Sequence, residues 1–124
     1  MNKSENIIEQ KSFDFALEVI ELYKKLLENK EYIISKQLLK SSTSIGANVK
    51  EAQAAQSKKD FLSKMSIASK EARETEYWLM LLKKSNLVKL NYDKYLDKSI
   101  EITKIITAIV KTTSKKLKIK VESN

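Results

Sequence analysis

The absence of helix breakers constrains this chain more than any other feature of its sequence. Its 124 residues include no proline and a single glycine, Gly46. Because proline and glycine interrupt helices most strongly, the chain can form long helices without breaks. The hydrophobic fraction of 42% and the charged fraction of 32% are typical of a globular protein and exclude an extended disordered chain. The length fits one domain with its own core.

Hydrophobic periodicity predicts four amphipathic helices, over residues 12–29, 31–56, 58–86 and 91–116. Apolar or small residues recur every three or four positions in each segment. The four predicted inner stripes are Ala16, Ile20, Tyr23 and Leu27 (widened by Phe13, Val19 and Leu26); Ile34, Leu38, Ser41, Ile45, Val49 and Ala52; Phe61, Met65, Ala68, Ala72, Thr75, Leu79 and Leu82; and Tyr95, Ser99, Ile102, Ile106, Ile109 and Thr113. Short connections then predict an all-α fold, an antiparallel up-down-up-down four-helix bundle.

Capping residues support several of these boundaries. Ser12 and Asn91 are candidate N-caps, and Ser57 followed by Asp60 resembles a capping box. The second segment has four hydroxyl residues and Gly46 in its middle, so a break is one interpretation. We favour a continuous helix there, because the apolar register is the same on both sides of the glycine. Its small residues would let another backbone approach closely.

Residues 12–116 are thus predicted to form the bundle. Residues 1–11 are expected to be a mobile N-terminal segment and residues 117–124 a basic C-terminal tail, in which alternating apolar and lysine residues leave a weakly paired strand as an alternative. The N-terminus lacks the apolar core of a signal peptide, and no apolar run approaches the length of a membrane span. We therefore expect a cytoplasmic protein without a membrane partner.

The composition also removes most catalytic designs. Without histidine there is no imidazole base and no histidine-ligated metal, and without cysteine there is no thiol nucleophile or usual zinc site. A single glycine excludes glycine-rich phosphate loops. We expect no enzymatic activity, no metal and no cofactor. An enzyme working with Glu and Lys stays the alternative, and it would need a buried carboxylate pair in a pocket.

The net charge of +8 is unevenly distributed along the chain. Residues 1–56 carry eight lysines and eight acidic residues, whereas residues 57–124 carry sixteen basic and eight acidic residues. This asymmetry indicates a polyanionic partner, RNA or DNA, although a solubilising tail would look the same. The candidate nucleic-acid-binding residues are Lys104, Lys111, Lys115, Lys116, Lys118 and Lys120. With Arg73 as the only arginine, bidentate base recognition is not expected.

Two further groups of residues are candidates for specific roles. Lys40, Ser44, Asn48, Glu51 and Glu74 are predicted to form a polar network between the second and third helices. A ligand or metal site made of Glu51, Glu74 and Asn48 is the alternative, but bundle metal sites usually use histidine, so we favour a structural network that sets helix register.

On the third helix, apolar residues also occur outside the inner stripe. Tyr77, Trp78, Met80 and Leu81 are predicted to form an oligomer interface, since aromatic and methionine side chains are enriched there. Stacking of nucleic-acid bases on this aromatic group is the alternative interpretation.

Three ordered blocks of the sequence resemble a known family. Residues 44–52 (SIGANVKEA), 58–68 (KKDFLSKMSIA) and 74–79 (ETEYWL) are similar to the motifs of the bacterial four-helix bundle proteins called 23S rRNA-intervening sequence proteins. The resemblance covers about residues 12–115. Departures are Gly46-Ala47 and Ala52, where Pro-Ser and Gly are common in the family, and Lys40, where Arg is common.

The resemblance implies an antiparallel four-helix bundle that assembles as a ring of five, and so a homopentamer. Some members are encoded inside insertions in 23S rRNA genes, and a related group that accompanies retroelements is associated with nucleic-acid binding. No enzymatic activity comes with the family. The resulting hypothesis is a non-enzymatic oligomer that binds RNA or DNA through lysine-rich surfaces, with a protein-interaction scaffold as the alternative.

Overall fold

The computed structural model describes the backbone of residues 3–123 and the side chains of residues 3–119. Over that range the chain forms α1 (Lys3–Glu28), α2 (Ile34–Gln53), α3 (Lys58–Ser85) and α4 (Asp93–Ser123), with no strand. Each helix packs against two others in cyclic order, and α1 closes the ring against α4. The prediction of an all-α four-helix bundle is confirmed.

Ion pairs between neighbouring helices show their antiparallel arrangement. Lys50 near the end of α2 pairs with Glu9 near the start of α1 at 2.9 Å. Lys83 near the end of α3 pairs with Asp93, the first residue of α4, at 2.8 Å. Between α2 and α3, Ser41 contacts Thr75 and Glu51 pairs with Lys64, so later residues of α2 meet earlier residues of α3. Between α1 and α4, Lys11 pairs with Glu101 and Glu18 with Lys98 in the same opposed order. Consecutive helices therefore run in opposite directions.

The core lies along the axis of the ring and is formed by one stripe from each helix. The predicted stripes of α2, α3 and α4 are confirmed, with Leu38, Ile45, Leu79 and Ile106 fully buried. Phe61, at the start of the α3 stripe, is only partly buried. Burial of large aliphatic side chains supplies most of the stabilisation of such a bundle.

The predicted inner stripe of α1 is displaced by one position along the helix, and of its predicted members only Val19 and Leu26 are buried. The buried residues of α1 are Ile8, Ser12, Phe15, Val19, Leu22 and Leu26. Ala16, Ile20, Tyr23 and Leu27 are half-buried instead, and Phe13 and Leu17 are 60% and 51% exposed. Both stripes have helical spacing, so α1 is apolar on two adjacent faces. The contacts with α2 and α4 decide which of the two is buried.

The helices extend beyond the predicted bundle boundaries at residues 12 and 116. α1 begins at Lys3, because Ile8 extends the buried stripe by one more turn and is completely buried. The Ser12 hydroxyl donates to the Glu9 carbonyl at 3.1 Å inside the helix and does not cap it. α4 continues to Ser123, since no breaker follows residue 116, so the strand alternative is wrong for the described part of the tail.

Side chains cap the other helices largely as predicted. The Ser57 hydroxyl accepts a hydrogen bond from the Asp60 amide, and Asn91 Oδ1 accepts one from the Asp93 amide, both at 3.0 Å. α2 begins at Ile34, three residues later than predicted. The Glu31 carboxylate explains this start, because it accepts hydrogen bonds from the amides of Ile34 and Ser35.

The small residues of α2 allow close contact with α1. α2 is continuous through Gly46, as predicted. A Cβ atom at Gly46 would lie 3.5 Å from the Ser12 carbonyl oxygen. A longer side chain would meet the α1 backbone, which explains why a small residue stands at the point where α1 and α2 cross.

Candidate nucleic-acid interface

Four lysines of α4 lie on one exposed face. Lys104, Lys111, Lys115 and Lys118 are separated by seven, four and three residues, and α4 is helical throughout this range. All four side chains are exposed. Residues at these spacings lie on a single side of an α-helix, so the four lysines are aligned along α4. Among the described residues none of the four has an ion pair.

The other two predicted lysines are placed differently. Lys116 follows Lys115 by one residue and is rotated away from the shared face, where it lines a cavity beside Thr112 and Ser4. The side chain of Lys120 lies outside the described residues. The lysine face of α4 is therefore defined by Lys104, Lys111, Lys115 and Lys118.

The residues predicted as one oligomer interface lie on two different stripes of α3. One stripe is exposed, whereas the other is half-buried and its Trp78 packs against the core. The basic stripe consists of Lys70, Arg73, Tyr77, Met80 and Lys84, at spacings of 3, 4, 3 and 4, and all five side chains are exposed. The acidic stripe consists of Glu71, Glu74, Trp78 and Leu81, at spacings of 3, 4 and 3, and all four are half-buried.

The two stripes touch through their aromatic residues. The rings of Tyr77 and Trp78 make an edge-to-face contact with centroids 5.0 Å apart. The Trp78 indole donates to Glu74 Oε1 at 3.3 Å. Tyr77 itself is 59% exposed, so its ring is supported on one side and accessible on another.

The predicted polar network is present only as separate local contacts. Asn48 Nδ2 donates to the Ser44 carbonyl within α2 at 2.8 Å, and Glu51 pairs with Lys64 on α3 at 2.9 Å. Among the described side chains, Glu74 accepts a hydrogen bond from Trp78 and has no hydrogen bond or ion pair with Asn48 or Glu51. The polar contact buried between α2 and α3 is made by two residues of the inner stripes, Ser41 and Thr75.

A carboxylate of the acidic stripe has a perturbed pKa. Partial burial, and secondarily the charge of Glu74, raise the pKa of Glu71, while Lys70 and Lys40 act in the opposite direction. Lys40 thus lies close enough to α3 to act on Glu71. Among the described residues, no group of three acidic side chains is placed to hold a metal ion. None of the four helices, as far as they are described, combines the length and apolarity of a membrane span.

A cavity of about 650 Å³ lies at the end of the bundle where α1 begins. Its lining combines apolar residues such as Phe61 and Ile109 with polar residues such as Gln53 and Thr113. Gln53 Nε2 is buried there and has no hydrogen-bond partner among the described residues. The sequence carries no recognisable signal for this cavity, because its walls come from all four helices.

Comparison with known proteins gives a family and a similar solved structure. The model of the 23S rRNA-intervening sequence protein family matches residues 4–108. A crystal structure of a protein with unknown function from the S23 ribosomal protein family of Bacteroides thetaiotaomicron is 46% identical, with a TM-score of 0.83. The similarity covers 87% of this chain and 98% of that one. No curated protein matches the chain.

Proposed function

Because this chain belongs to the 23S rRNA-intervening sequence protein family, we propose that it is a non-enzymatic homo-oligomer that binds RNA or DNA through its lysine-rich surface. The observation that carries this proposal is the lysine face of α4. Residues 104 and 118 are separated by about 21 Å along the helix axis. Four exposed cations in a row of this length suit a phosphate backbone, which presents regularly spaced negative charges.

Binding through lysines is driven by phosphate contacts. A lysine ammonium is a point charge on a flexible stem, so it neutralises phosphates without reading base edges. The affinity should fall steeply with salt, because each neutralised phosphate releases bound counterions. If copies of the chain assemble, each lysine face is repeated, and the combined surface gains affinity through multivalency.

Self-assembly is the second part of the proposal, and the exposed apolar face of α1 favours it. Phe13 and Leu17 are 60% and 51% exposed and lie four residues apart on one side of the helix. Contiguous apolar surface of this kind is typical of contact sites between proteins. The family resemblance implies five subunits. Without nucleic-acid binding, the same face would serve a protein-interaction scaffold.

Nucleic-acid binding is tested by measuring the affinity for generic RNA and DNA at rising salt. In the test variant, Lys104, Lys111, Lys115 and Lys118 are all changed to Gln. In the control variant, Lys25, Lys30, Lys36 and Lys89, which are exposed at the opposite end of the bundle, are changed to Gln. Both variants lose the same charge, so they separate a local site from net charge.

We expect the test variant to lose most of the affinity and about 3 units of the log–log salt slope on single strands, while the control keeps both. Equal losses in the two variants would show that net charge alone attracts the nucleic acid. Absence of binding at low salt would leave the scaffold as the better interpretation.

Self-assembly is tested by light scattering on variants of the α1 face. Phe13→Asp with Leu17→Asp should reduce the solution mass to that of a monomer, because charged groups are costly inside an apolar contact. Ile33→Asp is the control, since Ile33 is 77% exposed but lies outside this face. An unchanged mass in the double variant would contradict the assignment of the face.

A further inference from the structure

We propose that single-stranded nucleic acid binds along the basic stripe of α3, with a base stacked on Tyr77 and phosphates beside Lys70, Arg73 and Lys84. This inference rests on the proposed function and adds a second helix and a base-contacting residue to it. Lysines of α4 would hold the backbone of the strand, whereas Tyr77 would hold a base.

The charges of opposite sign on α3 are separated between the basic stripe and the acidic stripe. The basic stripe has three cationic side chains and no acidic one, and the carboxylates of Glu71 and Glu74 belong to the acidic stripe. Glu76, the acidic residue next to Tyr77 in sequence, is half-buried. An incoming phosphate therefore meets exposed cations at both ends of the basic stripe and no acidic side chain within it.

The ion pair between Lys83 and Asp93 shows the register of the two helices. Because α3 and α4 are antiparallel, the residue thirteen positions before Lys83 lies level with the residue thirteen positions after Asp93. Lys70 is therefore level with about residue 106, close to the level of Lys104 at the start of the lysine face. The basic stripe and the lysine face thus follow one another across the seam between α3 and α4. Together they form a track of about 40 Å.

An exposed aromatic ring within such a track favours a single strand over a duplex. Unpaired bases can stack on aromatic side chains and on arginine, whereas the bases of a duplex are already stacked on each other. Tyr77 is 59% exposed, and Arg73 precedes it by one helical turn. The edge contact with Trp78 restricts the ring, so little conformational entropy is lost when a base binds.

The same charges argue against Tyr77 as the centre of a subunit contact. Lysine is depleted in the cores of protein interfaces, because its ammonium group must be desolvated. Lys70 and Lys84 both lie on the stripe of Tyr77.

The test compares the affinities of a short unstructured RNA and of a duplex of the same sequence, each also as DNA. Tyr77→Ala should lower single-strand affinity at least about tenfold and leave duplex affinity unchanged. Tyr77→Phe should restore it, since the phenyl ring also stacks. Tyr32→Ala is the matched control, because Tyr32 is likewise 59% exposed but lies in the connection between α1 and α2, outside the track.

The single tryptophan of the chain supplies an independent readout. Trp78 lies 5.0 Å from Tyr77, so an unstructured strand should change its fluorescence in the wild type and in Tyr77→Phe. The change should be lost in Tyr77→Ala.

Two results would overturn the inference while leaving the proposed function in place. One is a Tyr77→Ala variant that binds single strands as tightly as the wild type, although the four-lysine variant of α4 has lost binding. The other is a change of solution mass in Tyr77→Ala, which would make Tyr77 a subunit contact. A wild-type protein that binds no nucleic acid would overturn both the inference and the proposed function.

Discussion

The hydroxyl oxygen of Thr75 on α3 lies 2.9 Å from that of Ser41 on α2, and both side chains are buried. The Ser41 hydroxyl is also 3.2 Å from the Leu38 carbonyl, which can accept its proton. A directional bond inside an apolar interface fixes the position of one helix along the other. The role of setting the register between α2 and α3, which was predicted for Asn48, Glu51 and Glu74, is therefore expected of Ser41 and Thr75.

Replacing Thr75 by Val should destabilise the bundle by about 1–2 kcal/mol, because the shape is kept while the buried hydrogen bond is lost. Urea denaturation measures the change. Adding Ser41→Ala should cost less than the sum of the single changes, since the two residues share one interaction. Thr107→Val, on the exposed side of α4, is the control. Additive effects would mean that the two hydroxyls are not coupled.

Gly46→Ala should stabilise the protein by about 0.5–1 kcal/mol, because alanine is the better helix former and restricts the unfolded chain. The added Cβ would make an ordinary van der Waals contact with the Ser12 carbonyl oxygen at 3.5 Å. Gly46→Leu should instead destabilise the protein, since the longer side chain meets α1. Thermal unfolding compares the two variants, and a lower melting temperature for Gly46→Ala would show that even this contact is too tight.

Ile8→Ala should cost about 2–5 kcal/mol, which is usual for a cavity left by a large aliphatic residue. Ile8 is fully buried, whereas its neighbour Ile7 is 38% exposed, so Ile7→Ala should have a much smaller effect. The comparison by chemical denaturation tests whether the first turns of α1 belong to the bundle. Equal and small effects of both changes would favour the mobile segment that the sequence predicted.

Glu71→Gln should raise stability at neutral pH. Burial and Glu74 raise the pKa of Glu71, so the folded protein binds this proton more tightly than the unfolded chain. Stability then falls as the pH rises from the ordinary carboxylate pKa, about 4.3, through the raised folded pKa. The variant should lack this fall, and unfolding free energies measured across the acidic range would show the flatter profile.

Glu101→Gln should change the stability at neutral pH in the opposite direction. A hydrogen bond from Lys11 and its charge lower the pKa of Glu101. Its stabilising contribution is present above the unfolded pKa and is lost as the pH falls through the folded pKa. This variant should therefore be less stable than the wild type at neutral pH. Identical pH profiles for both variants would contradict the assignment of the two shifts.

Much of the fold could be predicted from periodicity alone. The stripes through Leu38, Leu79 and Ile106 are each the dominant apolar stripe of their helix, so their inward orientation followed from spacing. In α1 two stripes compete, one through Phe15 and one through Ile20. Spacing is equal in both, and only the position of the neighbouring helices determines which is buried.

The candidate site was predictable to a smaller extent. The alignment of Lys104 with Lys111 required only that α4 persist, which a chain without proline allows. The spacing of Arg73 and Tyr77 was equally visible in the sequence. The exposure of these two side chains could not be predicted, because α3 has three apolar or mixed faces. Only the structure shows which sides of α3 are covered by α2 and α4. Side-chain hydrogen bonds such as that of Ser41 depend on helix register, which the sequence does not encode locally.

The cyclic packing order has a consequence for the folding kinetics of the chain. Three of its four helix seams join neighbours in sequence, whereas the seam between α1 and α4 joins residues as distant as Lys11 and Glu101, 90 positions apart. Local contacts form early, and contacts that close a long loop form late. Weakening this last seam, for example at Ile102, should therefore accelerate unfolding while leaving the rate of folding nearly unchanged. The lifetime of the native bundle is then governed by the contact between α1 and α4, which forms last during folding.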